Sequence, residues 1–279
     1  MNDSQRGGGD QTIRPANLEL SFDLLKPGGR SASTWNIAEE CPIALRFNGA
    51  IFAVMLASPG DLEDFALGFA LSEGIIDAAD ELQNCKIKPL DGGIELDITI
   101  AGKRAVRLEA KERRRALAGG SGCGLCGIQS FEEFTNPLPR VSSALCVPLE
   151  VIRRAGKDFP DAQELNKLNH SVHGAAFVDA SGEIKALRED VGRHNALDKL
   201  IGAVLGAGLD PASGFVLLSS RAGYELIHKA ACTGFPIVVS ISAPTGMALR
   251  AAADSEVTLA SFAGDGELAI FSHAERISG

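Results

Sequence analysis

The chain is poor in aromatic residues, with one Trp and one Tyr beside 13 Phe, 5% of 279 residues in all. It has no apolar run near the roughly 18–20 residues that span a bilayer, the longest stretches being 214–218 and 235–241, so an integral membrane protein is not expected. The opening, MNDSQRGGGDQT, lacks an apolar h-region, and the expectation is a cytoplasmic protein with reduced thiols. Cysteine is sparse: Cys41, Cys85, Cys123, Cys126, Cys146 and Cys232 are too scattered for a disulfide scaffold. Positive charge is short as well. Lys and Arg number 27 against 36 Asp and Glu, a net charge of −9 that repels phosphate backbones and argues against a generic nucleic-acid partner.

Apolar residues make up 45%, enough for a real core in one large or two modest domains. Residues 1–16 read as a disordered tail, because few apolar side chains offset the entropy of ordering them. Leu18, Leu20, Phe22 and Leu24 alternate with polar residues, which predicts a strand with one buried face. Segments 42–47 and 50–56 flank Asn48-Gly49, a pair suited to a tight hairpin turn. Ser58-Pro59-Gly60-Asp61 opens a helix with Leu62, Phe65 and Phe69 on one face and Gly74 at its end. After Gly92-Gly93, Ile94, Leu96, Ile98 and Ile100 alternate again. The expected division is a tail at 1–16, a small α+β domain at 17–115, a Gly-rich loop and linker at 116–140, and an α/β domain at 141–279. In the last, two short helical segments precede strands and helices in the order ββαβαβαββ, which predicts a largely parallel sheet covered on both faces. Ligands on such sheets sit beyond the carboxyl ends of the strands.

Seven basic residues between 103 and 115 face only Glu109 and Glu112. Alone, such a run reads as a solvated face. It leads directly into Gly119-Gly120-Ser121-Gly122-Cys123-Gly124-Leu125-Cys126-Gly127, which delivers two thiols on an expected mobile loop beside concentrated cations. Cations lower a thiol pKa and enrich the thiolate. Cys123 and Cys126 therefore suit a redox dithiol, half a zinc site, or a nucleophile that carries sulfur as a persulfide. Zinc needs further ligands, and only His170 and His173, brought together in space, could join them.

A second set lies where strands give way to helices: Arg188-Glu189-Asp190-Val191-Gly192-Arg193-His194-Asn195, then Ser219-Ser220-Arg221-Ala222-Gly223, then Ser240-Ile241-Ser242-Ala243-Pro244-Thr245-Gly246. Open helix N-termini attract anions, Gly admits close approach, and Arg forks grip phosphate, so the three together predict a phosphate cradle. Ordinary capping by Ser, Asp, Asn or Thr is the plain alternative. His194 suits either an anion contact or a carbonyl hydrogen bond. Asp198 and Lys199 suit a solvent-facing ion pair, and Glu225 with Lys229 an i,i+4 helix pair.

The strings Glu-Asp-Val-Gly-Arg-His-Asn-Ala-Leu-Asp-Lys at 189–199, Ser-Ser-Arg-Ala-Gly at 219–223, Ser-Ala-Pro-Thr at 242–245 and Gly-Cys-Gly-Leu-Cys-Gly at 122–127 resemble the FdhD/NarQ family, the formate dehydrogenase accessory sulfurtransferases. The likeness runs from about Asn36 to the C-terminus. It implies a sulfur carrier that takes sulfur from a cysteine desulfurase as a persulfide on Cys123, with Cys126 as partner. The sulfur then passes to the molybdenum cofactor, bis-molybdopterin guanine dinucleotide, before insertion into formate dehydrogenase. The alternative is a chaperone that binds that cofactor without transferring sulfur. The resemblance further implies a cytidine-deaminase-like three-layer α/β/α domain with a mixed sheet, a homodimer, GDP as a mimic of the cofactor's nucleotide half, and a cofactor-contacting loop at Phe262, Ala263, Asp265 and Gly266. Deaminase chemistry itself is not implied, since the His-x-Glu and Pro-Cys-x-x-Cys motifs are missing from the helix starts. Two departures stand out. Asn169-His170-Ser171 replaces the family's usual Thr-Gly-Gly, and Gly264 replaces an Arg.

Overall fold

The computed structural model describes residues 13–104, 137–264 and 266–279. The expected hairpin is β3 (Cys41–Phe47) and β4 (Ala50–Ala57), turning over Asn48-Gly49 with both residues at positive φ. With β5 (Leu82–Leu90) and β6 (Gly93–Ile100) it makes a four-stranded sheet in the order β4-β3-β6-β5, in which β3 and β6 run parallel. The alternation of Ile94, Leu96, Ile98 and Ile100 puts all four in the core with Ile43, Leu45 and Phe47. Helix α1 (Leu62–Ser72) belongs to the same core, where Phe47, Phe52, Phe65 and Phe69 meet with ring centroids 5.8–6.5 Å apart. Each such ring pair adds about 0.5–1.5 kcal/mol beyond simple burial. Ala66, Gly68 and Ala70 of α1 are buried too, because a second helix crosses its other side.

The first apolar alternation forms a strand but not a buried face. Among the described residues β1 (Asn17–Lys26) pairs only with β2 (Gly29–Ala38), Leu20 opposite Trp35 and Leu18 opposite Ile37. In this two-stranded ribbon Leu20 and Trp35 are about half exposed, at 49% and 53%. A ribbon this thin has no second layer of its own to cover its apolar side.

The larger unit begins with β7 (Val147–Pro148), α2 (Leu149–Ala162) and α3 (Glu164–Asn169). The expected order then follows: β8 (His173–Asp179), β9 (Ile184–Asp190), α4 (Arg193–Gly206), β10 (Gly214–Arg221), α5 (Tyr224–Cys232), β11 (Ile237–Ser242), α6 (Gly246–Asp254), β12 (Thr258–Phe262) and β13 (Leu268–Ile270). A terminal β14 (Ile277–Ser278) pairs with β7. The six-stranded sheet runs β13-β12-β11-β10-β8-β9. It is mixed rather than largely parallel: only β10-β11 and β11-β12 are parallel, because short hairpins attach β9 to β8 and β13 to β12. Ile152, Ala155 and Phe159 of α2 cover one face, and apolar residues of α4, α5 and α6 the other, giving three layers.

The two sheets share one apolar cluster through the crossing of α1 on α4. Gly68 and Gly202 permit that crossing. A Cβ on Gly68 would lie 1.7 Å from the Asp198 carbonyl oxygen, and one on Gly202 1.9 Å from that of Asp64. Such contact needs bare backbone on both helices.

Candidate functional site

β9, β10, β11 and β12 all point the same way, since β9 and β10 each run antiparallel to β8 and β10–β12 are mutually parallel. Their carboxyl ends therefore share one edge of the sheet. Gly192, Gly223 and Thr245, which open α4, α5 and α6, stand together there. Thr245 N–H donates to the Ala222 carbonyl at 3.0 Å, joining the second and third helix starts. Ordinary capping occurs at only one of the three: Thr245 Oγ1 accepts from Ala248 N–H at 3.3 Å, whereas Gly192 and Gly223 provide no capping side chain.

Arg193 and His194 follow Gly192. Among the described residues the Arg193 Nε and His194 Nε2 atoms are buried without a hydrogen-bond partner, and His194 Nε2 lies 3.7 Å from Glu225 Oε2. Buried polar atoms of this kind are costly unless something pairs with them. Glu225 sits at the start of α5, its carboxyl held low chiefly by His194. It therefore pairs with His194, not with Lys229 as the helix spacing predicts. His173, at the start of β8 and opposite Asp190, faces the same group; burial, then the Arg193 charge, push its pKa down. The full β8–β9 register, rather than local spacing, sets His173 against Asp190. Arg221 is exposed at the end of β10 and makes no ion pair among the described residues. Arg193, His194, His173 and Arg221 thus flank two uncapped helix starts, an arrangement able to hold an anion with several oxygens.

Other expected members of the site act from beneath it. Asp190 is fully buried. It accepts from Ser58 N–H (2.9 Å), Gly192 N–H (2.8 Å) and Asn195 Nδ2 (3.0 Å), and pairs with Lys199 Nζ at 2.7 Å. Asn195 also donates to the Leu56 carbonyl. These groups fix the turn around Gly192 to the first unit. Lys199 is therefore buried, not solvent-facing, and so is Asp198, which accepts from Ser72 Oγ (2.6 Å) and pairs with Lys229 (2.9 Å). Ser219 Oγ accepts from Gly174 N–H, and Ser220 Oγ donates to the Arg221 carbonyl. Ser242 offers its carbonyl to the buried Ser240 and Ser261 hydroxyls, and Pro244 lies beside it, partly buried.

At the β12 exit, Phe262 packs its ring over Gly156 of α2, where a Cβ would come within 2.4 Å. Ala263 and Gly266 are exposed, and Arg153 Nε donates to the Gly266 carbonyl at 2.6 Å. Gly264 has φ +91°, a conformation an Arg rarely adopts. Asp265, like Cys123 and Cys126, lies outside the described residues.

The model of the FdhD/NarQ family matches residues 38–278. The chain belongs to the FdhD/NarQ family. It is 44% identical over 249 residues to the sulfur carrier protein FdhD of Bordetella petrii, covering 89% of both chains. With that of Xanthomonas euvesicatoria pv. vesicatoria it is 44% identical over 268 residues, covering 96% of this chain and 94% of the other. It also matches a crystal structure described as a formate dehydrogenase accessory protein from Desulfotalea psychrophila, with TM-score 0.72 and 25% identity over 95% of this chain and all of that one. Asn169-His170-Ser171 forms the turn from α3 into β8. There the buried Asn169 Nδ2 donates to Asn17 Oδ1, so this stretch ties the ribbon to the larger unit.

Proposed function

We propose that the chain is a sulfur carrier for formate dehydrogenase. It takes sulfur from a cysteine desulfurase as a persulfide on Cys123 and delivers it to the molybdenum cofactor before that cofactor enters the dehydrogenase. The cofactor, bis-molybdopterin guanine dinucleotide, is here a client, gripped by its diphosphates at the carboxyl edge. The single observation that supports this grip is Arg193 Nε, a buried donor with no acceptor among the described residues, beside an uncapped helix start. Loading is a thiolate exchange: Cys123 attacks the outer sulfur of the donor's persulfide and the donor thiolate leaves. In delivery, Cys126 attacks the Cys123 sulfur and hydrosulfide is released, the two electrons coming from the dithiol, which is left as a disulfide for cellular thiols to reduce.

The experiment is mass spectrometry after incubation with desulfurase and cysteine, together with titration of GDP onto the chain. One added sulfur on Cys123, and GDP affinity that survives Cys123→Ala, is the expected result. No added sulfur removes the carrier reading, and loss of GDP binding with Cys123→Ala favours a chaperone that clasps the cofactor with its thiols. The exposed apolar side of the β1–β2 ribbon supports a homodimer. Sedimentation of Trp35→Lys as a monomer, beside a dimeric unaltered chain, is the outcome expected.

A further inference from the structure

The two helix starts that lack a capping side chain, at Gly192 and Gly223, are linked through a single carboxylate oxygen. Glu225, in the first turn of α5, folds back over Gly223, where a Cβ would come within 3.0 Å of Glu225 Oε2. The same oxygen lies 3.7 Å from His194 Nε2, in the first turn of α4. Its charge is secure at neutral pH. His194 first, then the N–H of Glu225 itself and the Arg193 charge, hold the carboxyl below its ordinary value against partial burial.

An acidic residue in a first helical turn ordinarily serves its own helix dipole from the solvent side. Here the carboxylate reaches across to a second helix, and only 26% of the side chain is exposed. It stands beside Arg193 and His194, the two groups assigned above to the client's phosphates.

We infer that the Glu225 carboxylate is a built-in stand-in for the ligand: it holds the place of a phosphate oxygen between the two helix starts, and a diphosphate must displace it to bind. The inference rests on the diphosphate grip proposed above and adds the residue that sets its strength. No bond is made or broken, since one anion replaces another beside the same groups. Like charges at such close range exclude one another. A diphosphate brings more oxygens and more charge than one carboxylate and so wins the exchange, but its apparent affinity is lowered by the fraction of time the carboxylate is away. The exchange also eases release: as the client leaves, the carboxylate returns beside His194, so the edge is not left without an anion.

The test is calorimetric titration of the full chain with GDP and, separately, with inorganic pyrophosphate. Glu225→Gln keeps the shape and removes the charge, so both ligands should bind about tenfold tighter than to the unaltered chain. Glu225→Ala should move both in the same direction, and it decides alone should Glu225→Gln fail to fold. A merely structural role, in which Glu225 steadies His194 or the start of α5, predicts no gain or the opposite sign. Unchanged or weaker binding of either ligand to a folded variant therefore overturns the inference and leaves the grip standing. Binding of neither ligand by any of the three chains overturns the grip, and the inference with it.

Discussion

Asp190 and Lys199 form an ion pair of 2.7 Å with neither side chain exposed to solvent. Lys199 also donates to the Ser58 carbonyl, and Asp190 accepts from the Ser58 and Gly192 amides. The pair thus fixes the first helix start of the site to the loop ahead of α1. Removing one partner strands the other charge in a low-dielectric interior. Lys199→Met should cost about 3–5 kcal/mol in urea unfolding, and Lys199→Met with Asp190→Asn should recover part of that loss. Equal stability of the single and double variants would refute the pairing.

The α1–α4 crossing should tolerate no side chain. Gly202→Ala pushes a methyl into the Asp64 carbonyl, so the helices must separate and every apolar contact between them loosens. The expected loss is about 1–3 kcal/mol, read as a lower melting temperature. Gly102→Ala, where a Cβ meets nothing, is the matched control.

Two neighbouring changes at the edge should separate grip from stability. Arg193→Gln should weaken GDP binding about tenfold, roughly 1.4 kcal/mol, with little change in melting. Thr245→Ala removes a cap and should cost about 1 kcal/mol of stability. Calorimetric titration and thermal melts of both variants check this. Unaltered GDP affinity in Arg193→Gln would remove Arg193 from the site.

His173 sets a pH dependence. Burial and Arg193 hold its pKa below the unfolded value of about 6.5, so between the two pKa values the unfolded chain binds more protons. Its contribution is therefore fully present above about pH 6.5 and is lost as pH falls toward the lowered folded pKa. In His173→Asn, stability should vary less with pH across this window, measured by urea unfolding at several pH values. Imidazole shifts that titrate above 6.5 in NMR would contradict it.

Local signals carried much of the fold. Asn48-Gly49, the alternation at 94–100, Gly74 and the strand-to-helix order after 173 each predict an element that forms, because each is set by neighbours within a few residues. What stayed hidden depends on partners far along the chain. Asp198, Lys199 and Lys229 look solvent-facing until Ser58, Ser72 and Glu73, over a hundred residues earlier, arrive to pair with them. The β1–β2 ribbon misleads for the opposite reason: its alternation is real, but no described layer covers Leu20 and Trp35. At the site, the helix starts and Arg193 were legible from spacing, while the Glu225–His194 pairing and the buried duty of Asn195 required the packing of α4 against α5 and β4.

The Ser58 amide and carbonyl, which hold Asp190 and Lys199, leave the ribosome long before either partner exists. Through that interval the nascent chain presents α1 with one flank bare, and the carboxyl edge takes shape only once synthesis has passed α5. Slow closure of such distant contacts exposes the half-made protein to aggregation. Assembly of that edge therefore reports on translation having run through both halves, and a truncated product should lack it.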